Sequence, residues 1–165
     1  MTVRPILRWP DRRLRSPAAD VVEVTDEIRA IWADMVDTMD AMPGVGLAAP
    51  QIGAMLRLAV VDVTKDRSRR ILLANPEVIG ASEDLRAHEE GSPCLPGLSA
   101  RLERPRVVTV RYLNTEGVIM ERKFEDLEST SVQHQIDHLA GRMYFDRLGR
   151  VKRDMLLRRA RKVRA

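Results

Sequence analysis

A domain of mixed helices and strands, its sheet mainly antiparallel, is what the sequence predicts, and three observations predict it. The chain has 165 residues, 44% of them hydrophobic, with nine Gly and nine Pro. That is enough to bury the core of one ordinary globular domain over residues 1–165 and too little for two. After Thr25 the apolar residues recur at helical spacing, and between residues 106 and 125 they alternate around a Gly-containing turn.

In chain order, the segment up to about residue 22 carries Pro5, Pro10 and Pro17, a spacing that predicts an extended, wrapping arm. Thr25 can cap a helix, Asp26 and Glu27 suit its positive first turn, and Ile28, Ile31, Trp32, Met35, Val36 and Met39 share a face. Pro43-Gly44 stops that helix and opens the run PGVGLAAPQIG. RLAVVDVT at 57–64 and ILLANPEVIG, ending at Gly80, read as two strands, with the charged KDRSRR as the turn between them. RVVTVRY at 106–112 alternates, Asn114-Thr115-Glu116-Gly117 turns, and VIMERKFE returns as the second arm of a hairpin. Over 125–140, Leu127, Val132, Ile136 and Leu139 predict a second helix, stopped by Gly141. A basic third helix follows from about residue 147, with Leu148, Val151, Met155 and Leu156 as its apolar stripe and Arg150, Lys152, Arg153, Arg158 and Arg159 on the other faces.

Composition narrows the function classes. With 32% charged residues, a mean hydropathy of −0.26 and no apolar run near about eighteen residues, no segment can span a bilayer. The start MTVRPILRWP lacks an apolar signal core, so a cytoplasmic protein is expected. One cysteine excludes an internal disulfide. The net charge of +4 hides an asymmetry: residues 147–165 carry nine Lys or Arg against one Asp, leaving 19 basic against 23 acidic residues, or −4, in the rest. A basic tail on an acidic body suits a polyanion such as RNA, and a solvated helix face is the equal alternative. The tail helix has no aromatic anchor, and neither a membrane nor DNA is an expected partner.

His134 and His138, in SVQHQIDHLAG, lie four apart on the second predicted helix, so both imidazoles share a face and can grip one metal ion. Such a pair also arises by chance; a third ligand is what gives it weight. Cys94, in the Gly- and Pro-rich stretch HEEGSPCLPGL, supplies a candidate, although a lone cysteine is more often a small core residue. Two His and one Cys with an open position form a hydrolytic rather than a structural pattern, in which the metal makes hydroxide available near neutral pH.

PGVGLAAPQIG, EEGSPCLPG and QHQIDHLAGRMYFDRL, in this order, resemble the three signature motifs of the peptide deformylase family, and VRPILRWPDRRLRSPA resembles its N-terminal arm. The resemblance implies an α+β fold, mainly antiparallel sheets around a central metal-bearing helix. It implies removal of the N-formyl group from formyl-Met at the start of new polypeptides, with an N-formylated peptide or nascent chain as partner. One divalent metal ion is implied, Fe2+ as the family's usual choice with Zn2+ or Ni2+ as substitutes, and none if the site has decayed. Gly46 and Gln51 match the first motif, with the Gln51 amide expected to hydrogen-bond the formyl oxygen or the oxyanion and Leu47 to line the mouth. His134 and His138 match the metal-binding histidines. Glu90 and Gly91 match the start of the second motif, with Arg101 as the guessed partner of Glu90. The family's C-terminal helix further implies docking at the ribosome through the basic tail.

This chain departs from the family pattern at the reacting centre. Gln135 stands where the family has the Glu that moves protons, and an amide does not titrate. A gapless alignment puts Ser92 at the thiolate position and Pro93, without an N–H, where a backbone donor should serve the oxyanion. A slipped alignment keeps Cys94 as third ligand and Leu95 as backbone donor; it is preferred here, with His88 as a fallback ligand. Two functions stay open: a metal-dependent hydrolase impaired by Gln135, and an inactive relative that keeps a peptide-binding or ribosome-associated role.

Overall fold

The chain is described by a computed structural model covering residues 2–164. The N-terminal arm is extended apart from a 3-10 turn at Arg12–Arg15, and it wraps the body through backbone bonds. Leu7 N–H donates to Gln51 (2.8 Å), Trp9 N–H to the Cys94 carbonyl (2.9 Å) and Ala18 N–H to Leu139 (2.9 Å). Helix α1, Asp26–Asp40, starts as expected: the Thr25 hydroxyl accepts from Ile28 N–H at 3.3 Å, and Asp26 and Glu27 fill the first turn. Its buried stripe is Ile28, Trp32, Met35 and Met39.

The strands then follow as β1 (Gly46–Ala48), β2 (Leu58–Val61), β3 (Ile71–Ala81), β4 (Leu85–Gly91), β5 (Ser99–Pro105), β6 (Val107–Leu113) and β7 (Ile119–Glu125). Five of them form an antiparallel sheet in the order β1-β2-β3-β6-β7, and β4-β5 form a separate antiparallel pair. The β6–β7 hairpin closes on the predicted turn, where Asn114 Oδ1 accepts from Glu116 and Val118 N–H and Gly117 takes a φ of 76°. Helix α2, Asp126–Leu139, packs against β1, β2 and β7 of the large sheet and against β5 of the small one. Helix α3, Arg150–Arg164, begins a few residues after the predicted 147 because a 3-10 turn occupies Tyr144–Arg147. Ala165, the last residue of the predicted basic tail, lies outside the described residues.

These elements make the α+β arrangement with a central helix. Three apolar clusters hold it: α1 against β1 and β2, the large sheet against Val132 and Leu139 of α2, and a third around Leu14, Cys94, Leu95, Tyr144, Phe145 and Leu156. Lying between layers, α2 buries polar residues on nearly every side, from Glu128 to His138. Each must then find a partner inside the protein.

Candidate active site

A pocket of about 540 Å³ opens between α2, the β4 end and the loop before β1. Its wall includes Gly46, Gln51, Ser92, His134 and Gln135, so the fold brings residues from all three sequence motifs together. On α2 the His134 and His138 rings lie with centroids 5.0 Å apart. His134 Nδ1 is 2.8 Å from Glu90 Oε1. An ionised carboxylate only accepts, so Nδ1 carries the hydrogen of this contact; in a neutral imidazole Nε2 is then the acceptor. His138 is fully enclosed, and both its ring nitrogens lack a partner among the described residues. Burial, with the neighbouring His134, pushes its pKa well below the usual histidine value and keeps it neutral.

Glu90 is anchored by Arg104, not by Arg101. Arg104 Nε and Nη2 donate to the two Glu90 oxygens at 2.6 and 2.9 Å, and Nη1 donates to Asp137 at 3.0 Å. The correction follows from strand parity: β5 pairs Ala100 with Glu90 and Arg104 with Arg86, so the even-numbered residues share the inward face. Arg101 stands opposite Glu89 on the outer face. Arg147 completes the cluster with bonds of 2.6 and 2.8 Å to Asp137. Burial alone would raise the pKa of Glu90, but His134 and Arg104 outweigh it and hold the group below the usual carboxylate range. For Asp137, burial is likewise outweighed by Arg147 and Arg104. Asp137 is therefore tied up in ion pairs rather than free to stand in for a missing base. Sequence reasoning missed Arg104 and Arg147; alternation along SARLERP could have revealed the first.

Gln51 sits in the 3-10 turn Ala49–Ile52, where its Oε1 accepts from Ala48 N–H at 2.9 Å. Its Nε2 donates to Cys94 Sγ at 3.6 Å. Gln135 lines the same pocket from α2; its Oε1 is buried and has no partner among the described residues. Gly46 lets α2 come this close, since a Cβ there would stand 2.5 Å from Gln135 Nε2 and 2.6 Å from Ser131 Oγ. Leu47, expected at the mouth, is instead fully buried against α1. Alternation in β1 turns it to that face when its neighbours turn to α2.

The loop after β4 brings Ser92 and Pro93, rather than Cys94, to the pocket wall. It folds as a tight turn: Cys94 N–H donates to Ser92 Oγ at 3.2 Å and Leu95 N–H to the Ser92 carbonyl at 2.9 Å. Leu95, expected to offer its N–H to an oxyanion, has that N–H engaged in the turn and its side chain in the third apolar cluster. Cys94 belongs to the same cluster, and burial raises its thiol pKa. His88 lines the pocket.

The polypeptide deformylase family profile matches residues 3–154. A peptide deformylase of Rhizobium meliloti is 40% identical over 96% of this chain and 92% of its own length. A peptide deformylase-like protein of Bradyrhizobium diazoefficiens is 40% identical over 99% and 95%. The crystal structure of a peptide deformylase from Legionella pneumophila superposes with a TM-score of 0.92 at 38% identity, covering 99% of this chain and 96% of that one. The chain belongs to the polypeptide deformylase family. A family structure from Ehrlichia chaffeensis in complex with actinonin matches with a TM-score of 0.91 at 31% identity, over 98% of each chain.

The metal implied by the deformylase resemblance needs three protein donors. The two imidazoles suit it: His134 is oriented through Nδ1 by Glu90, as metal-ligating histidines are, and the ring nitrogens of buried His138 have no partner among the described residues. The third donor does not fit. Among the described residues no three His, Cys, Asp or Glu side chains are grouped to hold an ion, and the pocket wall offers the hydroxyl of Ser92, a poor ligand beside a thiolate.

Proposed function

We propose that this deformylase-family protein, acting in the cytoplasm as one domain over residues 1–165, recognises the formylated N-terminus of new polypeptides and that hydrolysis in its pocket is impaired. The carrying observation is Gln135, which packs into the pocket against Gly46 where an acid–base group would have to stand. In this reading Gln51 holds the formyl oxygen: its Oε1 is fixed by Ala48, and its Nε2 carries a second hydrogen beyond the one directed at Cys94. Gln135 positions the formyl amide or a water by hydrogen bonding. It cannot move a proton, and loss of such help lowers rates by about 10²–10⁴. His134 and His138 are the metal ligands of this reading, with Fe2+ the family's expected ion and Zn2+ or Ni2+ as substitutes. Cys94 as third ligand, preferred from sequence, has less support than Ser92's position in the pocket wall. The basic face of α3 is the proposed ribosome-docking surface.

Formate release from an N-formyl-Met peptide, with metal quantified in the same anaerobic sample, tests the reading. Little release is expected from the natural chain, and Ser92→Cys with Gln135→Glu should raise both bound metal and turnover, the latter at least about tenfold. A double variant that holds metal and still releases no formate would sink it. The second reading, peptide binding without turnover, is favoured by the joint presence of Ser92 and Gln135 on one pocket wall.

A further inference from the structure

The pocket wall carries a cation that the proposed chemistry leaves unused. Arg8 comes from the N-terminal arm, and its backbone position is fixed on both sides. Leu7 N–H bonds to the Gln51 carbonyl at 2.8 Å, Trp9 N–H bonds to the Cys94 carbonyl at 2.9 Å, and the Arg8 carbonyl accepts from Asp11 N–H at 2.9 Å. The arm thus clamps Arg8 between the turn that carries Gln51 and the loop that carries Ser92. Its side chain is exposed and lines the pocket. Among the described residues that guanidinium makes neither a hydrogen bond nor an ion pair.

That condition sets it apart from the other charges of the wall. Glu90 is matched by Arg104 and His134. Glu89 accepts from Ser99 Oγ at 3.0 Å and has Arg101 directly across from it on β5. Of the other arginines of the arm, Arg4 pairs with Asp34, Arg13 with Asp11 and Arg15 with Asp146, and Arg12 is not part of the pocket wall. A guanidinium with no partner among the described residues, on a backbone held by hydrogen bonds on both sides, can receive a carboxylate that arrives with a ligand.

We infer that Arg8 is a specificity-determining residue, which favours peptides carrying an acidic side chain shortly after the N-terminal residue. The inference rests on the proposed recognition of peptide N-termini, in which Gln51, beside one of the two clamps, holds the formyl oxygen and the following residues leave the pocket past its rim. Recognition is by a forked pair of N–H donors on a carboxylate, partly exposed to water. The expected preference is therefore modest, about fivefold, and weakens as salt screens it.

Fluorescence anisotropy with labelled N-formyl-Met peptides bearing Glu, Gln or Lys at the second and third positions reads this directly, without requiring turnover. The Glu peptide should bind about fivefold more tightly than the Gln peptide at low salt and lose most of that advantage by about 0.5 M salt. Arg8→Glu should reverse the order of the Glu and Lys peptides, whereas Arg8→Lys should retain the original order. Equal binding of the three peptides, or an order unchanged by Arg8→Glu, overturns the role of Arg8 and leaves peptide recognition standing. Failure of every peptide to bind overturns both.

Discussion

At Gly46 the distance between two elements is set by a single missing side chain. Residues on α2 approach the β1 backbone so closely that a methyl group would overlap Gln135 Nε2 and Ser131 Oγ. Ser131 is not free to give way, because its hydroxyl donates to the Val45 carbonyl at 2.9 Å. Gly46→Ala should therefore shift α2 outward and cost about 1–3 kcal/mol, the usual penalty for overpacking a filled interior. Chemical denaturation would register it as a lower midpoint with an unchanged slope. A midpoint within error of the natural chain would mean that Gln135 can swing aside, and that the narrowness of the pocket there is not enforced. Cys94 shows a related dependence on one turn. Its thiol reads as a metal ligand from the sequence because it is the lone cysteine in a chain with a histidine pair, yet the two hydrogen bonds on Ser92 fold the loop so that residue 92 lines the pocket and residue 94 packs into the third apolar cluster, with its Sγ against Gln51 Nε2. Nothing in residue type announces such a turn.

Among the elements, those that bury a simple apolar stripe could be read from the sequence, and those that bury charge could not. Helix α1 and the β6–β7 hairpin alternate plainly between apolar and polar positions, and their observed bounds follow the predicted ones closely. The β4–β5 pair escaped because its inward face is built from Arg86, His88, Glu90, Leu102 and Arg104, which reads as a polar loop when only hydrophobicity is followed. Its inward charges are compensated across to α2, chiefly through Arg104. Removing that side chain leaves Glu90 and Asp137 buried, Glu90 without its guanidinium and Asp137 with Arg147 alone. Arg104→Ala should thus destabilise the protein by about 3–5 kcal/mol, the loss typical when one partner of a buried ion pair is deleted. Because Glu90 orients His134, the same variant should loosen the imidazole, visible as altered ring resonances in NMR. A thermal midpoint lowered by less than about 2 °C, with unchanged ring resonances, would show that the cluster is not what holds β4 to α2.

For the whole molecule, the segregation of charge between body and tail has to be weighed against the packing of the tail itself. Helix α3 is more than a basic appendage: Leu156 and Ala160 are buried in the cluster that also holds Cys94 and Leu95, and Arg153 pairs with Asp146 at 3.2 Å. Cutting the chain before α3 would strip that cluster and disturb the pocket loop, so a failure to bind ribosomes after truncation would not identify a docking surface. Exposed positions separate the two effects. Lys152, Arg158, Arg159, Arg161 and Lys162 face solvent, and replacing Arg158, Arg159, Arg161 and Lys162 by Gln removes charge while leaving the buried side chains in place. If α3 docks on ribosomal RNA, the plot of log affinity against log salt should flatten by about 0.7–0.9 for each phosphate that is no longer neutralised, with the thermal midpoint little changed. Pelleting assays with purified ribosomes across a salt series would measure that slope. An unchanged slope would assign the basic face to solvation, and the charge asymmetry of this chain would then carry no information about its partner.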